Sequence, residues 1–207
     1  MSLKKLNKTQ RAAVEATDGP ILIFAGAGSG KTRVLTHKMF YLIREELYKP
    51  EEILSVTFTN KAAKEMKERV MDLLKTDHLP ITIGTFHSVC ARILRTEAKH
   101  LGISPQFAIY DAQDQLDLLK VVLKDLEVSK DDLAPNNARN QISYLKNKMI
   151  TPDAQSRKAR TILEKTVVDV YRAYQKALRE NDALDFDDLL LYPLELFDKH
   201  PMVLAKY

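Results

Sequence analysis

The first half of the chain alternates short apolar runs with longer stretches of helical period. Residues 20–25 (Pro-Ile-Leu-Ile-Phe-Ala) are apolar without alternation and enter a glycine-rich turn, as a strand buried on both faces would. A helix is predicted from Gly30 to about Leu47, stopped by Pro50. Residues 53–58 (Ile-Leu-Ser-Val-Thr-Phe) predict a second strand. Asn60 then caps a charged helix that runs to about Leu74. Residues 81–85 predict a third strand, followed by a helix from about Phe86 to Leu101. Residues 107–110 (Phe-Ala-Ile-Tyr) are a fourth short apolar segment. Alternation of this kind predicts an α/β fold, a parallel sheet with helices on both faces.

After Asp111 the pattern changes. Residues 111–127 are helix-periodic, with Leu116, Leu119, Val121, Val122 and Leu123 as apolar positions. Ser129-Lys-Asp-Asp predicts the start of another helix, and Pro135 and Pro152 punctuate the chain beyond it. Residues 153–180 are mostly helical in pattern, and residues 185–199 predict a further helix ended near Pro201. No strand-like run interrupts residues 111–181, so this stretch reads as a separate helical subdomain. There is no internal repeat and no low-complexity segment.

Composition narrows the class. With 207 residues, 45% hydrophobic and 29% charged, the chain can bury a core, which excludes collagen-like and largely disordered proteins. No apolar run approaches the roughly 20 residues of a membrane span, so no membrane association is expected. The first residues lack an apolar stretch of the secretory type. Cys90 is the only cysteine, which excludes an intrachain disulfide, fits a cytoplasmic setting and reads as a small buried residue.

The net charge of +4 says little alone; its placement says more. Between Asn136 and Arg179 ten lysines and arginines face three acidic residues, a net +7. The flanks are acidic: −4 over residues 111–135 and −5 over residues 180–207. A basic block between acidic flanks suits a polyanion, or the solvated face of long helices.

The strongest chemical signal is Ala25-Gly26-Ala27-Gly28-Ser29-Gly30-Lys31-Thr32, which fits the phosphate-loop pattern G-x-x-x-x-G-K-[ST] except for Ala25 at the first glycine. Glycines let backbone N–H groups curl around phosphates, and the succeeding helix points its positive end at the anion. Lys31 is placed to reach the β- and γ-phosphates of ATP, and the Thr32 hydroxyl to hold Mg²⁺. Kinases, GTPases, transporters and motor ATPases share such loops, so the loop does not name the reaction.

Four further segments select among them. They are Leu6-Asn-Lys-Thr-Gln10-Arg-Ala-Ala13-Val14 and Thr57-Phe58-Thr59-Asn60-Lys61-Ala62-Ala63-Lys64-Glu65-Met66, then Gly84-Thr85-Phe86-His87-Ser88 and Leu184-Asp185-Phe186-Asp187-Asp188-Leu189-Leu190. In this order they closely resemble the N-terminal part of the UvrD/PcrA/Rep-type superfamily 1 DNA helicases, over essentially the whole chain. The resemblance implies a RecA-like P-loop NTPase sheet, incomplete here, with an all-helical insert. Residues 1–110 would begin the first motor domain, residues 111–183 form the insert, and residues 184–207 return to that domain.

The resemblance also implies roles. Gln10 looks like the residue that reads the adenine edge, for which an amide offers donor and acceptor together. Arg33 is similar to the family's arginine near the base. Phe58, Thr59 and Asn60, and Thr85, Phe86 and His87, look like two segments that touch single-stranded DNA; an aromatic ring at a strand end can stack on an unpaired base. On the residues alone, Phe58 and Phe86 read first as core aromatics, His87 as a polar helix-start residue, and Lys61 and Lys64 as solvated charges.

In the family an acidic pair at the end of a later strand drives ATP hydrolysis. Asp185, Asp187 and Asp188 begin a helical pattern and do not supply it. The chain is therefore expected to stop short of that strand and to lack the second motor domain. The parent is expected to couple ATP hydrolysis to 3′→5′ movement on single-stranded DNA, with the basic insert meeting duplex at a single-strand/duplex junction. The alternatives are a non-catalytic nucleic-acid-binding module with a nucleotide pocket and a P-loop kinase of small metabolites; the kinase explains neither aromatic segment.

Overall fold

The β-branched runs at residues 53–58 and 81–85 form the strands they predict. In the computed structural model, which describes residues 2–207, β1 (Leu54–Thr57) and β2 (Thr82–Thr85) pair in parallel, with Leu54 opposite Thr82 and Thr57 opposite Thr85. The described residues group into two compact units, one up to Val89 and one from Cys90 onward.

In the first unit, α1 (Lys8–Glu15) starts at Asn7, whose side chain accepts from the Gln10 backbone N–H in a capping box. α2 (Lys31–Arg44) and α3 (Asn60–Leu74) turn apolar faces inward. Met39, Met66 and Val70 of these helices pack with Ile53, Leu79 and Ile81 into one core. Thr59 caps α3 by accepting from the Ala62 N–H at 3.2 Å, one residue before the cap predicted. α4 (Phe86–Leu101) follows β2 directly. The turn into it is tight: a Cβ on Gly84 would lie 2.6 Å from Ser88 Oγ and 3.2 Å from Val89 Cγ2, so a side chain there would displace the Ser88 hydroxyl.

Residues 20–25 do not form the strand their pattern predicts. Leu22 is 78% and Phe24 90% exposed, and among the described residues no strand pairs with this segment. A strand needs a neighbour to take its backbone N–H and C=O groups, and without one the apolar run stays irregular. The sheet seen is accordingly two separate parallel pairs.

The second pair lies in the second unit. β3 (Ala108–Tyr110) runs parallel to β4 (Ala183–Asp185), a strand too short for the sequence pattern to separate from the helix that follows it. Around it lie α5 (Ala112–Asp125), α6 (Pro135–Asn147), α7 (Pro152–Ser156), α8 (Ile162–Glu180), α9 (Phe186–Lys199) and α10 (Pro201–Lys206). Ser129 does not start a helix; its hydroxyl closes a turn on Asp132, and α6 begins at Pro135, whose fixed φ suits a first helical position. α8 is the longest helix, capped by a Thr161–Glu164 box. It buries Val167, Val170, Tyr171, Tyr174 and Leu178 at helical spacing against Leu119, Leu123, Ile142 and Leu145. A smaller core gathers Leu94, Phe107, Leu184 and Leu189. The buried Glu97 of α4 accepts from Lys206 Nζ at 2.5 Å and Tyr207 OH at 3.0 Å, which fastens α10. Cys90 is only partly buried, and desolvation pushes its thiol up. Among the described residues no helix is long and apolar enough to cross a membrane.

Candidate nucleotide-binding and DNA-binding sites

The glycine-rich loop sits in the first unit and leads into α2. Gly28 (φ 74°) and Gly30 (φ 87°) adopt left-handed backbone that other residues resist, which turns the chain sharply into the helix. A Cβ on Gly30 would also lie 2.9 Å from Gln10 Nε2 and displace that amide, while the conformation itself calls for glycine. α2 starts with no side-chain cap, unlike α1, α3, α8 and α9. Its first-turn N–H groups therefore have no side-chain acceptor, and the dipole leaves partial positive charge at that end.

Lys31, the first residue of α2, folds back on the loop: its ammonium donates to Ala25 O at 3.1 Å and Gly26 O at 2.7 Å. Ser29 Oγ donates to Gly26 O at 2.8 Å. Ala27 and Thr32 are exposed, and a Cβ on Gly26 or Gly28 would meet nothing within 4 Å, so the loop is open to a ligand. The residues present fit a nucleotide phosphate: the uncapped start of α2 adjoins an open glycine-rich loop, and one cation now satisfied by carbonyls can turn to an anion. Thr32 carries the hydroxyl that would hold Mg²⁺ there.

Gln10 is brought to the loop, with its amide engaged on both sides. Nε2 donates to Ser29 O at 2.9 Å and Oε1 accepts from the Asn7 N–H at 3.1 Å. Reading an adenine edge requires those partners to be exchanged. Arg33 donates to Lys5 O at 2.7 Å. The sequence reading missed Lys38, whose ammonium gathers the carbonyls of Ala13, Val14 and Ala16 and so closes the C-terminal end of α1. It also missed His37, buried on α2 with its Nδ1 2.8 Å from Arg33 O; burial pulls its pKa below the usual histidine value.

Phe58 and Phe86 are not core residues. Phe58 is 90% exposed and Phe86 47% exposed, with ring centroids 6.2 Å apart and planes tilted by 54°. Each follows directly on the carboxyl end of β1 or β2, where parallel α/β sheets bind ligands. Thr59 and Thr85 act as local caps, Thr85 Oγ1 accepting from the Ser88 N–H at 3.1 Å. Asn60 is exposed at the start of α3, and His87 is half-buried at the start of α4.

The second unit holds a buried charged cluster that the sequence did not reveal. Lys146, counted in the basic block, is fully buried; it donates to Asp185 Oδ2 at 2.7 Å and Asp188 Oδ1 at 2.8 Å. Tyr174 OH donates to Asp185 Oδ2 at 3.1 Å. Asp185 closes β4, which its helical pattern did not predict, and also caps α9, with Asp188 completing the box, so these aspartates are structural. Burial pushes the Asp188 carboxyl up to about 6; Lys146 opposes the shift and Asp185 adds to it. Burial also raises Tyr171 and Tyr174, and takes Tyr192 up to about 12.

These features define a mixed α/β chain, mostly helical, with a glycine-rich loop at a helix start and exposed aromatics at strand ends. The chain belongs to the UvrD/REP helicase N-terminal domain family, whose description matches residues 6–207. It is 47% identical over 205 residues to the ATP-dependent DNA helicase PcrA of Bacillus subtilis, covering 99% of this chain and 28% of that protein. The PcrA helicases of Staphylococcus epidermidis and Staphylococcus aureus are 45% identical over the same length. The chain thus spans 28% of the length of these relatives.

Proposed function

We propose that this chain is the front part of an ATP-dependent DNA helicase motor, holding the phosphate-binding and strand-touching elements of its first domain. Residues 1–110 begin that domain, residues 111–183 are its helical insert, and residues 184–207 return to it. The observation that carries the reading is the uncapped start of α2 behind the left-handed Gly28 and Gly30, together with the exposed Phe58–Phe86 pair in the same unit.

In this reading Lys31 exchanges the Ala25 and Gly26 carbonyls for the β- and γ-phosphates of ATP. The N–H groups of residues 26–32 line the phosphates, and Thr32 takes a place on Mg²⁺. Gln10 and Arg33 lie on the nucleotide side, where Gln10 already ties α1 to the loop. Phe58 and Phe86 offer two stacking faces to successive bases of single-stranded DNA, and Thr59, Asn60, Thr85 and His87 offer polar contacts beside them. The basic block of the insert meets duplex at the junction.

Asp185, at the end of β4, and Asp188 are buried and held by Lys146, so they are not free to orient attacking water, and negligible ATP turnover is expected from this chain alone. Steady-state phosphate release, with and without a single-stranded oligonucleotide, checks this. Steady DNA-stimulated hydrolysis that disappears in Lys31→Ala would show that the active site is already complete and overturn the reading.

A further inference from the structure

The turn between α7 and α8 presents an unusual surface. Ala159 is buried and anchors it, with the Lys158 and Ala159 N–H groups both donating to Gln155 O at 2.9 Å. Around that anchor Arg157, Lys158, Arg160 and Lys165 are exposed. Elsewhere in the basic block Arg172 pairs with Asp153 and Asp169, and Lys176 with Glu180. Among the described residues no salt bridge holds the four cations of the turn. The only acid within the turn is Glu164, whose Oε2 accepts from the Arg160 and Thr161 N–H groups at 2.7 and 3.0 Å. The start of α8 is thereby already capped, and an anion docking here must be met by side chains.

Between the cations stand two large apolar side chains, Ile162 at 85% and Leu163 at 53% exposure. α8 buries Val167, Val168 and Val170 one turn later, so its first turn is turned outward, away from the core. Cations alone suit phosphates; an adjacent exposed apolar pair on a fixed backbone needs an apolar counterpart as well. Duplex nucleic acid offers both at once, in phosphates flanking the sugar and base edges of the minor groove, and apolar residues among basic ones are the usual means of engaging it.

We propose that this turn is a duplex-docking tip. Arg157, Lys158, Arg160 and Lys165 straddle the phosphates, and Ile162 and Leu163 pack against the floor of the minor groove. The inference rests on the proposed duplex contact of the basic block and adds to it a specific apolar contact.

Two variants separate the two claims. Binding of a fluorescently labelled 20-base-pair duplex is measured from low to moderate salt, with thermal unfolding confirming that each variant is folded. Ile162→Ser with Leu163→Ser is expected to weaken binding about tenfold at every salt concentration with the salt slope unchanged, because only apolar contact is lost. Arg157→Glu with Lys158→Glu and Arg160→Glu is expected to flatten the salt slope by roughly one for each phosphate contact removed. A flattened slope in the glutamate variant with unchanged affinity in the serine variant would overturn the docking tip and leave the duplex reading standing. If neither variant alters duplex binding, both claims fail.

Discussion

Replacing Lys146 with methionine is expected to destabilise the second unit by about 3–5 kcal/mol, the usual penalty for removing one partner of a buried ion pair. The Lys146 side chain is fully buried, and Asp185 and Asp188 are 2% and 1% exposed, so neither carboxylate can turn to water. Lys146 joins α6 to the start of α9, and Tyr174 brings in α8. Urea unfolding of the variant against the parent checks this; a loss below about 1 kcal/mol would contradict it.

The same cluster sets a pH signature. One ammonium faces two carboxyl groups, and burial raises the Asp188 pKa to about 6 from a usual value near 3.8. A carboxyl raised on folding binds its proton more tightly in the folded state. Its stabilising contribution is therefore fully present below about pH 4 and is lost as pH rises through about 6. Asp188→Asn is expected to remove that component and flatten the stability profile between about pH 4 and 6. The Lys146→Met penalty should be smaller at about pH 5 than at about pH 8, because a protonated Asp188 no longer needs the ammonium.

The second large effect concerns the aromatic pair. Phe58→Ala and Phe86→Ala are each expected to weaken binding of single-stranded DNA by about 1–3 kcal/mol, or about 5- to 150-fold. Because Phe58 is 90% exposed, its removal should leave thermal stability within about 0.5 kcal/mol of the parent. Phe86 is half-buried and should cost somewhat more. With ring centroids 6.2 Å apart the two can share a base step, so the double variant should lose less than the sum of the single losses. Fluorescence titration with a polythymidine oligonucleotide reads both effects; unchanged affinity in either single variant would remove that ring from the strand path.

The helices at residues 60–74 and 86–101 were legible to within about a residue from their apolar period, although the first is capped by Thr59 and not Asn60. The run at residues 20–25 has the hydrophobicity of a central strand, yet strand formation depends on a pairing partner that local sequence does not encode. Ser129-Lys-Asp-Asp has the letters of a helix start but spends them on a turn, since the apolar period resumes only after Pro135. At the candidate site, the loop was legible because left-handed turns restrict composition to glycine. Its neighbour Lys38 was not, because hydrogen bonding to a distant helix end leaves no local spacing, and a lone His37 on a helix gives no sign in the sequence that it is buried. Lys146 was misread for a related reason: a lysine amid other cations looks solvated until residues about 40 positions away supply the acids.

The proposed nucleotide binding by the first unit rests on the loop at residues 25–32. Its most direct test is equilibrium titration of a fluorescent MgADP analogue into the parent chain and into Lys31→Ala. Saturable binding to the parent, weakened at least about tenfold by the substitution, is the predicted result, since a charge-assisted contact of Lys31 to phosphate would be lost. Equal affinity in both, or no saturable binding by the parent, would contradict the assignment of this loop to nucleotide.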